Sequence, residues 1–346
     1  MGFSKSLIQW YLQNKRDLPW RKVAHPYPIW LSEIMLQQTR VAQGLPYFLK
    51  FTEAFPTVHD MAAAHEEHIL KLWQGLGYYS RARNLHATAR QVAFEMGGSF
   101  PDSYAGLLKL KGVGEYTAAA IASISYGEPV PVVDGNVYRV LARYFGIETD
   151  ISSPGAKKQF TQLAASLLPH DDAANFNQAM MEFGALQCVP KSPDCGICIF
   201  NKDCAAFLTG RVSRLPVKLK KTKVTSRHFN YLIVTDSNGR TLVNKRTAKG
   251  IWHNLYEFPL IETNGELSVD EVKDMVLAGT GTGFVPKSAI LLTPLPVLHK
   301  LSHQHLSIRF WHVEADGALP GAIDKNDALA LPFPIVIYNF IDKHWE

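Results

Sequence analysis

The sequence has few cysteines and no long apolar run. All four cysteines lie between Cys188 and Cys204, so the distributed disulfide framework of a small secreted protein is excluded. No apolar stretch approaches the roughly 18 residues needed to cross a bilayer. The first residues are amphipathic rather than a charged segment followed by an apolar one. We therefore expect a cytoplasmic protein that makes no contact with a membrane.

Acidic residues are absent from two stretches of the chain. Residues 211–227 contain seven Lys or Arg and no acid, and residues 71–94 also contain no acid. Such patches suit a phosphate backbone, because neutralising phosphates releases counterions and supplies non-specific affinity. Taken alone, each stretch fits a solvated linker or an ordinary helix face equally well.

The first half of the chain has helical periodicity. Apolar residues recur at helical spacing from Phe3 to Gln187, which predicts that this half is nearly all helix. The helices are expected to break at prolines, among them Pro46 and Pro101.

The second half has a different pattern. Strand-like alternation begins at His228, and residues 229–235 and 241–244 predict a β-hairpin closed by a turn at residues 236–239. Residues 268–278 predict a helix, and alternation returns over residues 296–313. At 346 residues the chain can bury more than one core. We therefore expect a multidomain protein: an all-α region at 1–208, a basic linker at 209–227 and an α+β domain at 228–346.

The four cysteines have a spacing typical of a metal site. Cys188, Cys195, Cys198 and Cys204 follow the pattern C-x6-C-x2-C-x5-C. Four thiolates on one compact loop can hold a tetrahedral zinc ion or an iron–sulfur cluster, and the spacing leaves both open.

Two glycines and an aspartate form a second constellation. Gly112 and Gly114 precede a predicted helix over residues 116–125, and such a turn lets a helix N-terminus approach a phosphate closely. Many turns between helices have the same pattern. Asp134 follows an apolar run at the expected start of another helix, where capping alone would explain it.

A third constellation combines a carboxylate with a glycine turn. Glu33 and Gln37 share one face of an apolar helix. Such a carboxylate is either paired structurally or kept for proton transfer. Residues 75–83 combine glycines, aromatics and arginines, which suit stacking and phosphate contact or a core.

Together these segments resemble the helix-hairpin-helix DNA glycosylases with an iron–sulfur cluster, and most closely the adenine DNA glycosylases of the MutY family. The segments that carry the resemblance, in family order, are WLSEIMLQQT, GLGYYSRARNL, LKGVGEYTAAAI, VVDGNVYRVLAR, FNQAMMEFGALQC and the cysteine spacing. The resemblance implies a six-helix barrel, a cluster domain with its loop at 188–204, a 4Fe-4S cluster held by the four cysteines, and a C-terminal Nudix-like domain. It implies a monomer, associated with the nucleoid, that flips adenine out of duplex DNA where adenine lies opposite 8-oxoguanine or guanine.

The resemblance also implies roles for individual residues. Glu33 matches the general acid that protonates adenine, and Asp134 matches the carboxylate that stabilises the cationic sugar. Tyr116 and Asn136 match positions lining the sugar pocket. The remaining DNA- or substrate-binding positions are Arg16, Trp20, Leu36 and Gln178 around the flipped adenine, Gln38 and Tyr78 inserted into the stack, and Gln37, Arg81, Gly112 and Gly114.

Tyr116 separates two kinds of relative. Bifunctional glycosylases resembling endonuclease III have a lysine here, whose amine forms a Schiff base with the sugar. Because this chain has Tyr116, we expect a monofunctional glycosylase with little β-lyase activity.

The C-terminal half resembles the Nudix-like domain that the family uses to recognise 8-oxoguanine. The Nudix box is absent from the sequence, so we expect binding rather than diphosphate hydrolysis. The family motif Phe-Ser-His corresponds here to Leu301, Ser302 and His303.

Three other functions fit parts of the sequence. A thymine- or uracil-directed glycosylase of the same fold is disfavoured by the LQQT segment and the C-terminal domain. A Nudix-type nucleotide hydrolase is disfavoured by the missing box. A non-catalytic iron–sulfur DNA-binding protein is disfavoured by the presence of both Glu33 and Asp134.

Overall fold

The computed structural model describes residues 2–219, 223–279 and 283–344. The chain divides into two compact units, one comprising Met1–Ala63 and Asn84–Lys220, the other Ala64–Arg83 and Lys221–Glu346. The first unit is helical and the second is built on a sheet, which confirms the expected fold class. Within the described residues, no helix is both long enough and apolar enough to cross a membrane.

The helical unit consists of helices joined by short loops, with a single 3₁₀ turn at Pro19–Arg21 and a π-helical turn at Gln91–Glu95. Residues of α6 up to Arg83 belong to the other unit. The helices are α1 (Phe3–Asn14), α2 (Pro26–Leu36), α3 (Val41–Ala54), α4 (Val58–Ala63), α6 (Ser80–Arg90), α7 (Tyr104–Leu107), α8 (Glu115–Tyr126), α9 (Gly135–Phe145), α10 (Ala156–Leu167), α11 (Ala173–Leu186) and α12 (Ala205–Leu208).

The core of the helical unit lies where α11 packs against α1, α8 and α9. Its buried side chains include Leu7, Tyr11, Leu141, Phe176 and Phe183, which recur at helical spacing on their own helices and so form continuous apolar faces. This packing fixes the starts of α8 and α9 relative to α11.

The predicted break at Pro46 is wrong, because Pro46 lies inside α3. Proline cannot donate the backbone hydrogen bond that residue 46 would make to the carbonyl of residue 42, close to the start of the helix. The loss of this one bond is tolerated because Phe48 and Phe51 are buried on the face of α3, and tertiary packing supplies most helix stability.

The sheet unit contains a five-stranded mixed sheet, a separate two-stranded sheet and flanking helices. Its helices are α5 (Glu66–Leu72), α13 (Val269–Leu277), α14 (Lys325–Ala330) and α15 (Ile335–His344). Its strands are β1 (Thr225–Thr235), β2 (Asn244–Lys245), β3 (Tyr256–Glu257), β4 (Leu260–Thr263), β5 (Pro286–Leu291), β6 (Val297–Lys300) and β7 (Gln304–Ala315).

Strands β1 and β7 form the centre of the five-stranded sheet. They run parallel, with Leu232 opposite Trp311 and Val234 opposite Val313. On the outer sides, β4 pairs with β1, and β5 and β6 both pair with β7, all antiparallel. Residues 229–234 of β1 are buried on both faces, as expected for a strand covered on two sides, whereas buried and partly exposed residues alternate over most of β7.

The predicted β-hairpin of residues 229–244 is wrong in its strand pairing, although the strand predicted at 229–235 does form, as part of β1. A turn does form at residues 236–239, but only a single antiparallel bridge joins Thr235 to Thr241, and β2 pairs with β3 instead of β1. The partners of β1 are instead β4 along one edge and β7 along the other. The strand starts at Thr225, inside the predicted linker; residues 220–222 of that linker lie outside the described part of the chain.

Two other predictions for the second half are confirmed. The helix expected at 268–278 is α13, whose N-cap Ser268 forms a capping box with Glu271. The alternation of residues 296–313 corresponds to the hairpin of β6 and β7, and the turn between these strands contains Ser302 and His303.

Candidate active site

Glu33 is a buried carboxyl group on an otherwise apolar helix, α2. The residue is 7% exposed, and its Oε2 atom accepts no hydrogen bond from any residue that the structure describes. Burial raises the pKa of Glu33 to about 7; Tyr116 and Arg21 oppose the rise, and the charge of Asp134 adds to it. A carboxyl group with this pKa is protonated for part of the time at neutral pH, as a general acid requires.

Asp134 has a different environment at the N-cap of α9. Its Oδ1 accepts hydrogen bonds from the backbone N–H groups of Asn136 (2.9 Å) and Val137 (2.8 Å), and its Oδ2 accepts one from Nδ2 of Asn136 (2.7 Å). Burial raises the pKa of Asp134, and these three hydrogen bonds oppose the rise. Hydrogen bonds from N–H donors stabilise the ionised carboxylate. Asp134 therefore has donors that stabilise its ionised form, whereas Oε2 of Glu33 has none among the described residues.

Asn136 is itself fixed by α9 and α11. Its Oδ1 accepts a hydrogen bond from Nη2 of Arg139 at 2.8 Å, and the same guanidinium donates to the carbonyl of Gly184 at 2.7 Å. Gly184 has no side chain to separate the helices: an added Cβ would lie 2.6 Å from Cβ of Asn136. The close approach of α11 at this glycine therefore holds the amide group against Asp134.

Tyr116 lies at the start of α8 and interacts with both carboxyl groups. Its hydroxyl donates to the sulfur of Met181 at 3.3 Å. Burial, the charges of Glu33 and Asp134, and a hydrogen bond with Glu33 all raise the pKa of Tyr116 well above its ordinary value. The phenol is therefore neutral at physiological pH, and its single hydrogen can be donated either to Met181 or to Glu33.

A cleft of about 690 Å³ is lined by Tyr116 and Asp134, whereas Glu33 and Asn136 are not among its lining residues. Its lining brings together predicted residues from α2, α8 and the start of α9, which are Leu36, Gln37, Gln38, Gly114, Tyr116 and Asp134. Gln37 is held by a hydrogen bond from its Nε2 to Oγ1 of Thr117 at 3.1 Å. The structure thus places catalytic and binding candidates from three distant sequence segments in one concave site.

Three further predicted residues, Trp20, Gln178 and Arg16, lie in the 3₁₀ turn, on α11 and in the loop after α1. Trp20, in the 3₁₀ turn, is 7% exposed and contacts the ring of Phe48 edge-on. Gln178, on α11, accepts a hydrogen bond from the hydroxyl of Tyr11 at 3.1 Å. Arg16 pairs with Glu182, which the sequence analysis did not single out.

The glycine turn between α7 and α8 has the conformation that its sequence predicts. Gly112 has φ +75, and an added Cβ would lie 2.6 Å from Cβ of Asn84. The hydroxyl of Thr88 donates to the carbonyl of Lys111 at 2.5 Å. Gly114 is the N-cap of α8 and makes no side-chain cap, so the backbone N–H groups at the start of α8 face the cleft without a capping side chain.

The four cysteines line one cavity at the ends of α11 and α12. Cys188 accepts a hydrogen bond from Nη1 of Arg143 (3.4 Å) and Cys198 accepts one from the N–H of Phe200 (3.4 Å). Within residues 2–219, 223–279 and 283–344, no three His, Cys, Asp or Glu side chains are close enough to share a single metal ion. Thiolates on one zinc ion, each bound at about 2.3 Å, would lie within about 4 Å of one another.

The sheet unit carries the remaining predicted residues. Tyr78 is 45% exposed and adopts φ +49, a region that a tyrosine rarely occupies. Arg81 is 9% exposed and donates to the carbonyls of Leu76 (3.3 Å) and Gly77 (3.1 Å). The guanidinium of Arg81 therefore braces the loop that presents Tyr78.

The predicted lesion-recognition residues lie in the turn between β6 and β7. Ser302 and His303 are both exposed, and Oγ of Ser302 is 3.2 Å from Nδ1 of His303. The N–H of Leu301 donates to the carbonyl of Gln304 at 2.8 Å. The hydroxyl of Ser302 and the imidazole of His303 are therefore accessible from solvent.

Comparison with known proteins places this site in a family. Residues 31–166 match the HhH-GPD superfamily of base excision DNA repair proteins, and residues 230–343 match the NUDIX domain. An adenine DNA glycosylase of Buchnera aphidicola subsp. Schizaphis graminum is 36% identical over 262 residues, covering 75% of this chain and 75% of that protein. The chain belongs to the adenine DNA glycosylases.

Two further comparisons involve a relative with the same name and a solved structure of another DNA glycosylase. The human adenine DNA glycosylase is 46% identical over 214 residues, which cover 59% of this chain and 39% of the human protein. The solved structure of a thermostable thymine-DNA glycosylase matches with a TM-score of 0.56 and 31% identity, covering 60% of this chain and 95% of that one. The expected enzyme class, a hydrolase of N-glycosyl bonds in DNA, is confirmed.

Sequence reasoning missed two charged residues, Glu182 and Arg21, that pair with each other. Glu182 is the one carboxylate in the apolar segment 176–186, one helical turn beyond Gln178, and this isolation was a signal of a buried partner. Arg21 gives no such signal, because an arginine after a tryptophan fits any exposed turn.

Proposed function

We propose that the enzyme removes adenine from duplex DNA in which the adenine lies opposite 8-oxoguanine or guanine, after the adenine has been flipped into the cleft. Glu33 and Asp134 support the proposal: they act on the same Tyr116 from two helices, yet only Asp134 is surrounded by N–H donors. Cleavage of an N-glycosidic bond needs a proton on the leaving base and a negative charge near the sugar cation. This pair of carboxyl groups provides both.

The reaction follows from these environments. Glu33 donates its proton to a ring nitrogen of adenine, and the electrons of the glycosidic bond leave with the base as a neutral molecule. The carboxylate of Asp134 stabilises the positive charge that develops at the sugar. Water then adds to the sugar carbon, and its proton is released to a base or to solvent. Adenine and an abasic site are the products.

Tyr116 and Asn136 position the groups that react. Asn136 donates to Asp134 at 2.7 Å and keeps the carboxylate oriented. Tyr116 offers a neutral hydroxyl beside Glu33 and no amine. A Schiff base therefore has no nucleophile at this position, and we propose a monofunctional enzyme. Efficient trapping of the enzyme on substrate DNA by borohydride would contradict this part of the proposal.

DNA contacts are assigned to surfaces with matching chemistry. The turn of Gly112 and Gly114 lets backbone N–H groups approach a phosphate. Tyr78 and Gln38 both adopt positive φ, at +49 and +55, and such strain at exposed residues is typical of functional loops. We assign them to insertion into the base stack. Leu36, Gln37, Arg16, Trp20 and Gln178 are assigned to the pocket for the flipped base, and Arg81 to support of Tyr78.

The lesion is assigned to the sheet unit. Ser302 and His303 expose a hydroxyl and an imidazole, which can hydrogen-bond the altered edge of 8-oxoguanine, with Leu301 supplying apolar contact. In this division of labour residues 1–208 cut the bond, residues 209–227 link the domains and contribute positive charge, and residues 228–346 recognise the lesion.

The cysteines fit a cluster better than a single ion. They surround one cavity and two of them accept hydrogen bonds from N–H donors, but they do not converge within single-ion distances. We propose that Cys188, Cys195, Cys198 and Cys204 hold a 4Fe-4S cluster. When bound, the cluster would connect the C-terminal end of α11 to the start of α12 and so stabilise the position of α11.

A glycosylase assay tests the proposal. Purified enzyme is given duplexes containing adenine opposite 8-oxoguanine, adenine opposite guanine, uracil opposite guanine and thymine opposite guanine, and abasic sites are revealed with hot alkali. We expect cleavage of the two adenine duplexes, with the 8-oxoguanine duplex preferred. Glu33→Gln should bind the same DNA without cutting it. Preferential release of uracil or thymine would refute the substrate assignment.

A further inference from the structure

Glu182 is a buried carboxylate that the proposed reaction does not use. Its side chain is 1% exposed. Oε1 accepts from the backbone N–H and Nε of Arg16, both at 2.9 Å, and from Nη1 of Arg21 at 2.8 Å. Oε2 accepts from Nη2 of Arg16 at 2.6 Å and from Nη2 of Arg21 at 2.8 Å. One carboxylate thus binds two guanidinium groups, each in a two-pronged geometry.

This cluster adjoins the buried acid. Arg21 belongs to the 3₁₀ turn that packs against α2, and its side chain is 13% exposed. The charged or titratable groups that act on Glu33 are Tyr116 of α8, Asp134 at the start of α9, and Arg21. No charged group of α3, which also packs against α2, is among them in the described chain. Arg21 is therefore the one cation of this set.

The charge on Arg21 favours the ionised form of Glu33, which cannot donate a proton. Its positive charge lowers the pKa of Glu33 against the effect of burial. Glu182 has the opposite property: burial alone would raise its pKa, but the two arginines lower it to about 2. The ionised Glu182 therefore occupies the hydrogen-bond donors of Arg21 at all pH values where the enzyme works.

We propose that Glu182 is a positioning residue that holds the guanidinium groups of Arg16 and Arg21 on α11 and offsets their charge, so that Glu33 keeps its proton. The inference rests on the proposed function, in which Glu33 is the general acid. Without Glu182, Arg21 would be free to pair with an ionised Glu33. Glu182 contacts neither the base nor the sugar in this scheme and acts only through the arginines.

The pH profile of the single-turnover rate tests this role. The wild-type rate on adenine opposite 8-oxoguanine should fall with a midpoint near pH 7 as Glu33 ionises. In Glu182→Gln the midpoint should move down by about one pH unit or more, with the rate at pH 5.5 within about threefold of wild type. Glu182→Asp keeps the negative charge, so its midpoint should lie close to that of wild type. The double variant Glu182→Gln with Arg21→Gln should return the midpoint toward wild type, because the unmatched cation is gone.

The outcomes separate this inference from the proposed function. A purely structural role lowers the rate equally at every pH, so an unmoved midpoint in folded Glu182→Gln overturns the inference alone. If wild type does not release adenine, or Glu33→Gln cuts as well as wild type, the proposed function fails instead. If Glu182→Gln does not fold, Arg21→Gln is measured instead. The midpoint of its pH–rate profile should be higher than that of wild type, and a constant or lower midpoint overturns the inference. Circular dichroism checks the fold of each variant.

Discussion

Replacing Glu33 by Gln should stabilise the enzyme, and increasingly so as the pH rises. In the unfolded chain the carboxyl group ionises near pH 4.5, whereas in the folded enzyme its pKa is about 7. At about 1.4 kcal/mol per pH unit, this difference corresponds to about 3 kcal/mol. Below pH 4.5 both states hold the proton and no stability is lost. As the pH rises from 4.5 to 7, only the unfolded state releases its proton, so the wild-type enzyme loses stability.

Glutamine has the same shape and does not titrate, so Glu33→Gln removes this loss. Between pH 5.5 and 8.5 its advantage over wild type should grow by about 2 kcal/mol. For a domain of this size the corresponding change in the difference of melting temperatures is about 4–8 °C. The measurement is a set of thermal melts of both proteins without DNA, followed by far-ultraviolet circular dichroism, which reports mainly on the helices.

The control is Glu95→Gln, at an exposed position of the same unit. Its difference from wild type should stay constant over the pH range. The reasoning is refuted if the difference between Glu33→Gln and wild type is also flat, because Glu33 would then ionise in the folded enzyme as it does in the unfolded chain. A difference that shrinks with rising pH would reverse the sign of the argument.

Three further predictions concern single residues. Asp134→Asn keeps the helix cap but removes the negative charge beside the sugar. Single-turnover adenine release should therefore fall by about 100-fold or more, while DNA binding in a gel-shift assay changes little. Near-normal release would exclude an electrostatic role for Asp134. Gly112→Ala should lower the free energy of unfolding by about 1–2 kcal/mol, because the added Cβ at φ +75 would lie 2.6 Å from Cβ of Asn84. The same substitution should weaken DNA binding. An unchanged melting temperature would mean that the turn accommodates the added Cβ without strain. Ser268→Ala breaks the capping box with Glu271 and should lower stability by about 1 kcal/mol in urea unfolding, whereas adenine release should stay at the wild-type rate.

Local patterns predicted the helices and the start of each site element. Asp134 follows an apolar run and precedes a periodic segment, so its position as an N-cap could be read from neighbours alone. Ser268 was similarly predictable. The two carboxyl groups could be paired only through family resemblance, since Glu33 and Asp134 are about a hundred residues apart and no periodicity relates them.

The errors arose where distant contacts decide the structure. The hairpin after β1 was predicted from a turn sequence, but the turn forms without a ladder, because β1 takes β4 and β7 as partners. Pro46 was predicted to end a helix that packing carries through. The pairing of Glu182 with Arg21 joins residues separated by 161 positions, and local patterns hold no information on such a pair.

The parallel pairing of β1 with β7 has a consequence for synthesis of the enzyme. Among the described residues, these neighbours in the sheet are the first and the last strands of their unit to leave the ribosome. Until Gln304–Ala315 has emerged, one edge of Phe229–Val234 has no partner strand, and the backbone N–H and C=O groups along that edge stay unpaired. We therefore expect nascent chains that stop before residue 304 to be held by chaperones or degraded.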